Sequence, residues 1–244
     1  MLILAAVPMA ALAQRPEFDV ASVKPDATTV GGVYNANLGR IQHGELSMAN
    51  VTLSEAVRYA WGINNDNQVS GPEWIKNKTI RYKIDAKTSP ETPREQILLM
   101  LQSLLSERFQ LKTHTEQREI AHLELAPGKK EMKIHPAQEG SDGSKNRNGY
   151  GHIVSNGMTM EVLTTILSRF LRQPILDRTG LQGRYAIDLQ WSPEPRTPEE
   201  APGDPSIPTI YAAVQEQLGL RLEARKTPLP VIVVESALQM PIGN

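Results

Sequence analysis

The chain has 244 residues, of which 40% are hydrophobic and 22% charged, and its 26 basic side chains are set against 27 acidic ones. That balance belongs to an ordinary globular chain and lacks the cationic excess that neutralises nucleic-acid phosphates, so no nucleic-acid partner is expected. The chain contains no cysteine. This excludes disulfides, thiol catalysis, thiolate zinc sites and a lipoprotein anchor.

The opening MLILAAVPMAALAQ is an apolar run ending in Ala11-Leu12-Ala13, the small-x-small pattern that a signal peptidase accepts. A signal peptide over 1–13, cleaved after Ala13, is the expectation, although no Lys or Arg precedes the run. It is shorter than the ~20 apolar residues of a membrane-spanning helix, and no later stretch approaches that length. The expected mature chain therefore has no membrane span and is periplasmic or secreted.

Next, FDVASVKP (Phe18 to Pro25) alternates like a strand. A larger regularity then appears: RYKID begins at Arg81 and RYAID at Arg184, 103 positions on. Upstream, Leu46 to Gly62 aligns with Ile153 to Arg169; downstream, Leu104 to Leu125 aligns with Ala213 to Val234. The chain reads as a tandem duplication.

Each copy follows one plan. A strand leads to a capping Thr, which is Thr52 with Glu55 at capping-box spacing in the first copy and Thr159 in the second. A helix follows, with Leu53, Ala56, Val57 and Ala60 on one stripe, or Met160, Leu163, Ile166, Leu167 and Phe170. The RYxID strand comes next, then a second helix, about Arg94 to Glu107 or Ile207 to Gln217, and two closing strands. The fold class expected is α+β, a repeated β-α-β-α-β-β unit with helices packed on small sheets. The domains expected are a first repeat with an extra N-terminal strand over 14–136, a Gly, Ser and Asn-rich linker over 137–151, and a second repeat over 152–244.

FDVASVKP, LDRTGLQGRYAIDLQWSP and the closing QEQLGLRLEARKTPLPVIVVES together resemble a family of exported proteins of unknown function abundant in Acidobacteria such as Solibacter. Related domains fused to membrane metallopeptidase sensors imply a sensing or binding role outside the cytoplasm. The single repeat is similar, more loosely, to the short N-terminal domains of secretins and TonB-dependent receptors, which implies protein contacts.

Chemistry-bearing residues concentrate in the first closing segment. If the chain turns at Arg118, His114 faces His122, Lys112 faces Glu124, and Glu116 shares their face, because side chains alternate with period two. Two imidazoles beside two carboxylates suit a metal or a general acid/base pair. The alternative is a solvated sheet face, and the second copy carries Glu223 and Val231 where the histidines stand.

In the linker, Asp142, Ser144, Asn146 and Asn148 alternate before Gly149, the rhythm of an oxygen-rich calcium loop, with Asp142, Asn146 and Asn148 as its metal-ligating candidates. The distal Glu of a helix-loop-helix site is missing, so a plain linker competes. His152, Ser155 and Asp177 have the residue types of a hydrolytic triad, but no Gly-x-Ser-x-Gly elbow accompanies them. Arg81 with Asp85 and Arg184 with Asp188 share strand faces and suggest salt bridges or turn support, while Gly180 suits a turn with positive φ.

Three functions follow as expectations. The first is a module that binds a small ligand or an envelope protein. The second is an exported hydrolase of small esters or lactones, such as acyl lactone signals, using a metal-held (calcium or zinc) or His-activated water. The third is a purely structural envelope protein.

Overall fold

The protein is a mixed α+β structure, described here by a computed structural model. The described residues are 15–26, 37–63, 65–129, 131–141, 147–149, 151–193 and 204–243. The expected signal peptide over 1–13 lies outside them.

Among the described residues there are four α-helices and three four-stranded sheets. In chain order the elements begin with β1 (Val20–Pro25), β2 (Asn37–Gln42), β3 (Glu45–Val51), α1 (Leu53–Ala60), β4 (Val69–Ser70), β5 (Tyr82–Lys87), α2 (Arg94–Arg108) and β6 (Lys112–Pro127). They continue with β7 (His135–Pro136), β8 (Arg147–Gly149), β9 (His152–Met158), α3 (Met160–Leu171), β10 (Ile175–Asp177), β11 (Tyr185–Gln190), α4 (Ile210–Ala213) and β12 (Leu220–Ser236).

These elements form two compact units, neither of which is one run of chain. The first takes residues up to Gly62, then Gly71–His114 and Val234 onward; the second takes Ile63–Ser70 and Thr115–Val233.

In the first unit the sheet order is β1-β5-β3-β2, all antiparallel. The alternation of β3 turns Leu46 and Met48 inward, and register places Val23, Ile84 and Met48 in one row, each at most 1% exposed. On the other face the same register aligns Ser22, Asp85 and Ser47, whose hydroxyl donates to Asp85 at 3.0 Å. Thr52 then starts α1 with a full capping box: its hydroxyl accepts from the Glu55 amide, and the Glu55 carboxylate accepts from the Thr52 amide at 2.8 Å. Leu53, Ala56, Val57 and Ala60 bury the helix on the sheet, as the stripe predicts. Phe109 meets Tyr82 edge-on at 4.9 Å. The C-terminal segment closes this core through Leu238 N–H to the Phe109 carbonyl at 2.7 Å and Tyr82 O–H to the Gln239 carbonyl at 2.6 Å.

In the second unit the order β7-β11-β9-β8 forms one sheet. Ile153 and Leu189 pair across it and face Leu163, Leu167, Val214 and Leu218 in a continuous core. Thr159 caps α3, its hydroxyl accepting from Val162 N–H at 3.3 Å. The expected helix at Ile207 to Gln217 is α4 followed by a π-helical turn over Val214–Leu218, and Gly219 at φ +71° ends it. The excursion Ile63–Ser70 docks here through Val69, paired with Ile232, and through the Gln68 amide donating to the Pro230 carbonyl at 3.1 Å.

The third sheet, β10-β6-β12-β4, corrects one expectation. No hairpin turns at Arg118: β6 runs unbroken for 16 residues and β12 for 17, one long strand in place of each expected closing pair. The reason is its sheet neighbour β12, beside which β6 continues straight, while Gln117-Arg118-Glu119 offers no Gly, Asn, Asp or Pro that would favour a reversal. His114 and His122 therefore do not face each other across a turn.

The RYxID segments hold their units in the same way. Arg81 donates from Nη1 to the Asn50 carbonyl at 2.7 Å and Arg184 to the Gly157 carbonyl at 2.9 Å, in both cases two residues before the capping Thr. Arg81 also lies 3.5 Å from Glu55. Turn support, rather than an Arg81–Asp85 or Arg184–Asp188 pair, is the role these bonds display.

Candidate functional site

The four chemistry-bearing residues of β6 do not gather at one place. His114, half-exposed, sets Nδ1 2.6 Å from Glu235 at the end of β12, a carboxylate that sequence spacing did not bring to it. Glu116 pairs with Arg118 two residues along the same strand face, at 2.7 Å.

His122 and Glu124 do meet. The His122 side chain is wholly buried, with Nδ1 3.0 Å from the Ile120 carbonyl. A carbonyl only accepts, so Nδ1 carries the hydrogen, and in the neutral ring Nε2 presents a lone pair. That Nε2 is buried with no hydrogen-bond partner and lies 3.9 Å from Glu124 Oε1. Glu124 in turn is held by Arg178 at 3.3 Å and Arg225 at 3.5 Å, and Arg225 also reaches Glu223 at 2.6 Å. Desolvation pushes the Glu124 carboxyl upward, but the two guanidiniums outweigh it and hold the group below its ordinary 4.5. Arg178 and Arg225 were missed by sequence reasoning, since they come from distant segments and nothing local marks them.

Among the described residues no group of three or more His, Cys, Asp or Glu side chains is placed to hold a metal ion. Asp142 and Asn146 lie outside the described residues, and Asn148 contributes backbone to β8 opposite Ile153. The triad types are not gathered either. His152 is exposed and bonds Asp188 at 2.8 Å, whereas Ser155, three positions along the same strand, is buried on the opposite face and accepts from Gly157 N–H. Asp177 accepts from the amide and hydroxyl of Thr179, closing the turn in which Gly180 has φ +71°.

A different place in the first unit has the form of a binding site. A cleft of about 540 Å³ opens along α2, with Trp61, Leu99 and Leu111 as apolar lining, Gln102 and Ser103 as polar lining, and Arg15 and Lys112 as charged lining. A neighbouring hollow of about 620 Å³ shares Arg15 and Pro16 and extends to Gln96 and Met100. Leu99, in the middle of α2, is 50% exposed. The sequence carries the signal for it: Ile97-Leu98-Leu99-Met100-Leu101 is apolar on every side, so a helix burying Ile97, Met100 and Leu101 must leave a leucine outside.

No curated protein and no solved structure matches the chain. The family described as "Protein of unknown function (DUF3738)" matches residues 54–237, and the chain belongs to that family.

Proposed function

We propose that this protein is an exported two-repeat module that captures a small ligand in the cell envelope, with the first unit's cleft as its binding place. The cleft carries the reading: concave, of a volume typical for small-molecule sites, and combining exposed apolar surface with a few polar groups. Export rests on the apolar start and its small-x-small end. Tandem duplication is supported by the Arg81 and Arg184 bonds and by the Thr52 and Thr159 caps, which recur at matched positions. Protein contacts of the kind made by the short receptor domains are the second form that capture would take.

The test is a thermal-shift and native mass-spectrometric screen of residues 14–244 against a small-molecule library, repeated on Leu99→Glu. Leu99 is exposed, so the variant keeps its fold. Ligands retained by the parent and lost by the variant support the reading. If no compound binds, and crosslinking in envelope extracts captures no partner, it falls.

One observation favours a hydrolase of small esters or lactones as the second reading. His122 sets an unpartnered Nε2 beside Glu124, with Nδ1 anchored on a carbonyl, the tautomer a general base requires. Turnover of acyl lactones that survives in Glu116→Gln and disappears in His122→Gln would carry this reading. Sensitivity of that turnover to EDTA, with rescue by calcium or zinc, would add a metal to it. A folded protein that opens no lactone and cleaves no ester ends it for those substrates.

A further inference from the structure

The charges of the cleft narrow its ligand. Arg15 and Lys112 line it, and no Asp or Glu is among the described residues that do. The rest of the lining is partly apolar: Leu99, half in solvent, is joined by Trp61, Leu111 and Pro16. A wholly apolar ligand would leave two cations facing hydrocarbon, and a small hydrophilic anion would leave the leucine wet. A molecule satisfying both has an aliphatic body and one anionic end.

We infer that the first unit's cleft takes an amphipathic aliphatic carboxylate, its chain lying on Leu99 and Trp61 and its carboxylate held by Arg15 and Lys112. The inference rests on the binding reading above and specifies its ligand class. Ser103 and Gln102 on α2 supply neutral hydrogen-bonding groups to the same cleft. Along the helix, Gln96 to Ser106 extends the adjoining hollows by about 15 Å at ~1.5 Å per residue, room for an extended chain rather than a compact ring system. The neighbouring hollow adds Glu17 beside the shared Arg15, which makes it the less favourable place for the anionic end.

The experiment is calorimetric titration of residues 14–244 with octanoate, octanol and octylamine at low salt. Octanoate is expected to bind at least about tenfold more tightly than octylamine, with octanol between them, and to weaken as salt is added. Arg15→Glu with Lys112→Glu should reverse the order in favour of the amine. Both side chains are exposed, and an unchanged unfolding midpoint establishes that the double variant is folded. Trp61 provides an independent readout: octanoate should shift the tryptophan emission of the parent, and Trp61→Phe should lose the shift while keeping the heat of binding. Equal affinity for the three probes, or octanoate binding unaffected by charge reversal, overturns the inference. If none of the three binds while the library screen yields another ligand, the inference falls and the binding reading stands; if nothing binds at all, both fall.

Discussion

Arg81 holds the Asn50 carbonyl at 2.7 Å across 31 positions of chain, and in doing so ties the start of β5 to the corner where β3 hands over to α1. Asn50 has φ +57°, a left-handed conformation that a non-glycine residue keeps only when its surroundings enforce it. The Arg81 side chain is 9% exposed and also donates from Nε to the Lys78 carbonyl at 2.7 Å. Replacing it by Ala strips the donor from the part-buried Asn50 carbonyl, whereas the exposed Lys78 carbonyl can turn to water, so Arg81→Ala should cost about 1–2 kcal/mol in urea unfolding. Arg81→Lys should recover little, since one ammonium cannot reach both carbonyls. A loss under about 0.5 kcal/mol would show that water takes over the bonds.

The capping box makes a smaller and more local claim. Thr52→Ala removes the hydroxyl that accepts from Glu55 N–H and frees the Glu55 carboxylate from its orientation. A destabilisation of about 1 kcal/mol is expected. Thr159→Ala should cost less, because its bond is longer at 3.3 Å and its third helical residue is Val162, which cannot return the bond. Equal costs at the two caps would mean that the reciprocal half of the box contributes nothing.

The outcome at these caps reflects what a sequence can disclose. Thr52 with Glu55, the alternation of Tyr82 and Ile84, the strand in FDVASVKP and the positive φ of Gly180 are decided by neighbours within a few residues, and all were legible. The long strands were not. A polar, alternating stretch such as Lys112 to Ala121 is compatible with a hairpin or a single strand, and only its neighbour β12, more than a hundred residues away, decides between them. For the same reason His114 was matched with His122, when its partner is Glu235 at a separation of 121. The cleft was illegible because its lining comes from four segments, though the uninterrupted apolar run of α2 was visible throughout.

Tyr82 couples burial to alkaline stability. Its hydroxyl donates to the Gln239 carbonyl at 2.6 Å, and burial raises its pKa to about 12. The folded state therefore holds this proton more tightly than the unfolded chain, for which the value is 10.0. Stability from this source is complete below about pH 10 and is lost as pH rises towards about 12. Tyr82→Phe should lower stability at neutral pH by about 1 kcal/mol through the missing hydrogen bond. It should also flatten the alkaline decline. An alkaline profile identical in parent and variant would assign that decline to other groups.

Glu124 works at the opposite end of the pH scale. Its carboxyl is held below 4.5 by Arg178 and Arg225, so the folded state binds its proton less tightly than the unfolded chain does. The stabilisation is present above the unfolded value and disappears as pH falls through the lowered folded one. The guanidinium side chains are 60% and 52% exposed, and solvent screening limits the effect to about 0.5–1 kcal/mol. Glu124→Gln should therefore be less stable than the parent by that amount at about pH 7 and indistinguishable from it near pH 2, as read from urea unfolding at both. Arg178→Ala should raise the titration midpoint of the Glu124 carboxyl in a carbon-detected NMR experiment, because removing that guanidinium leaves desolvation opposed by Arg225 alone. If Glu124→Gln costs the same at both ends of the range, packing around His122 rather than charge is what Glu124 supplies. The buried imidazole would then be the group to vary next, with His122→Gln expected to satisfy the Ile120 carbonyl through its amide and so separate the loss of Nε2 from the loss of that anchor.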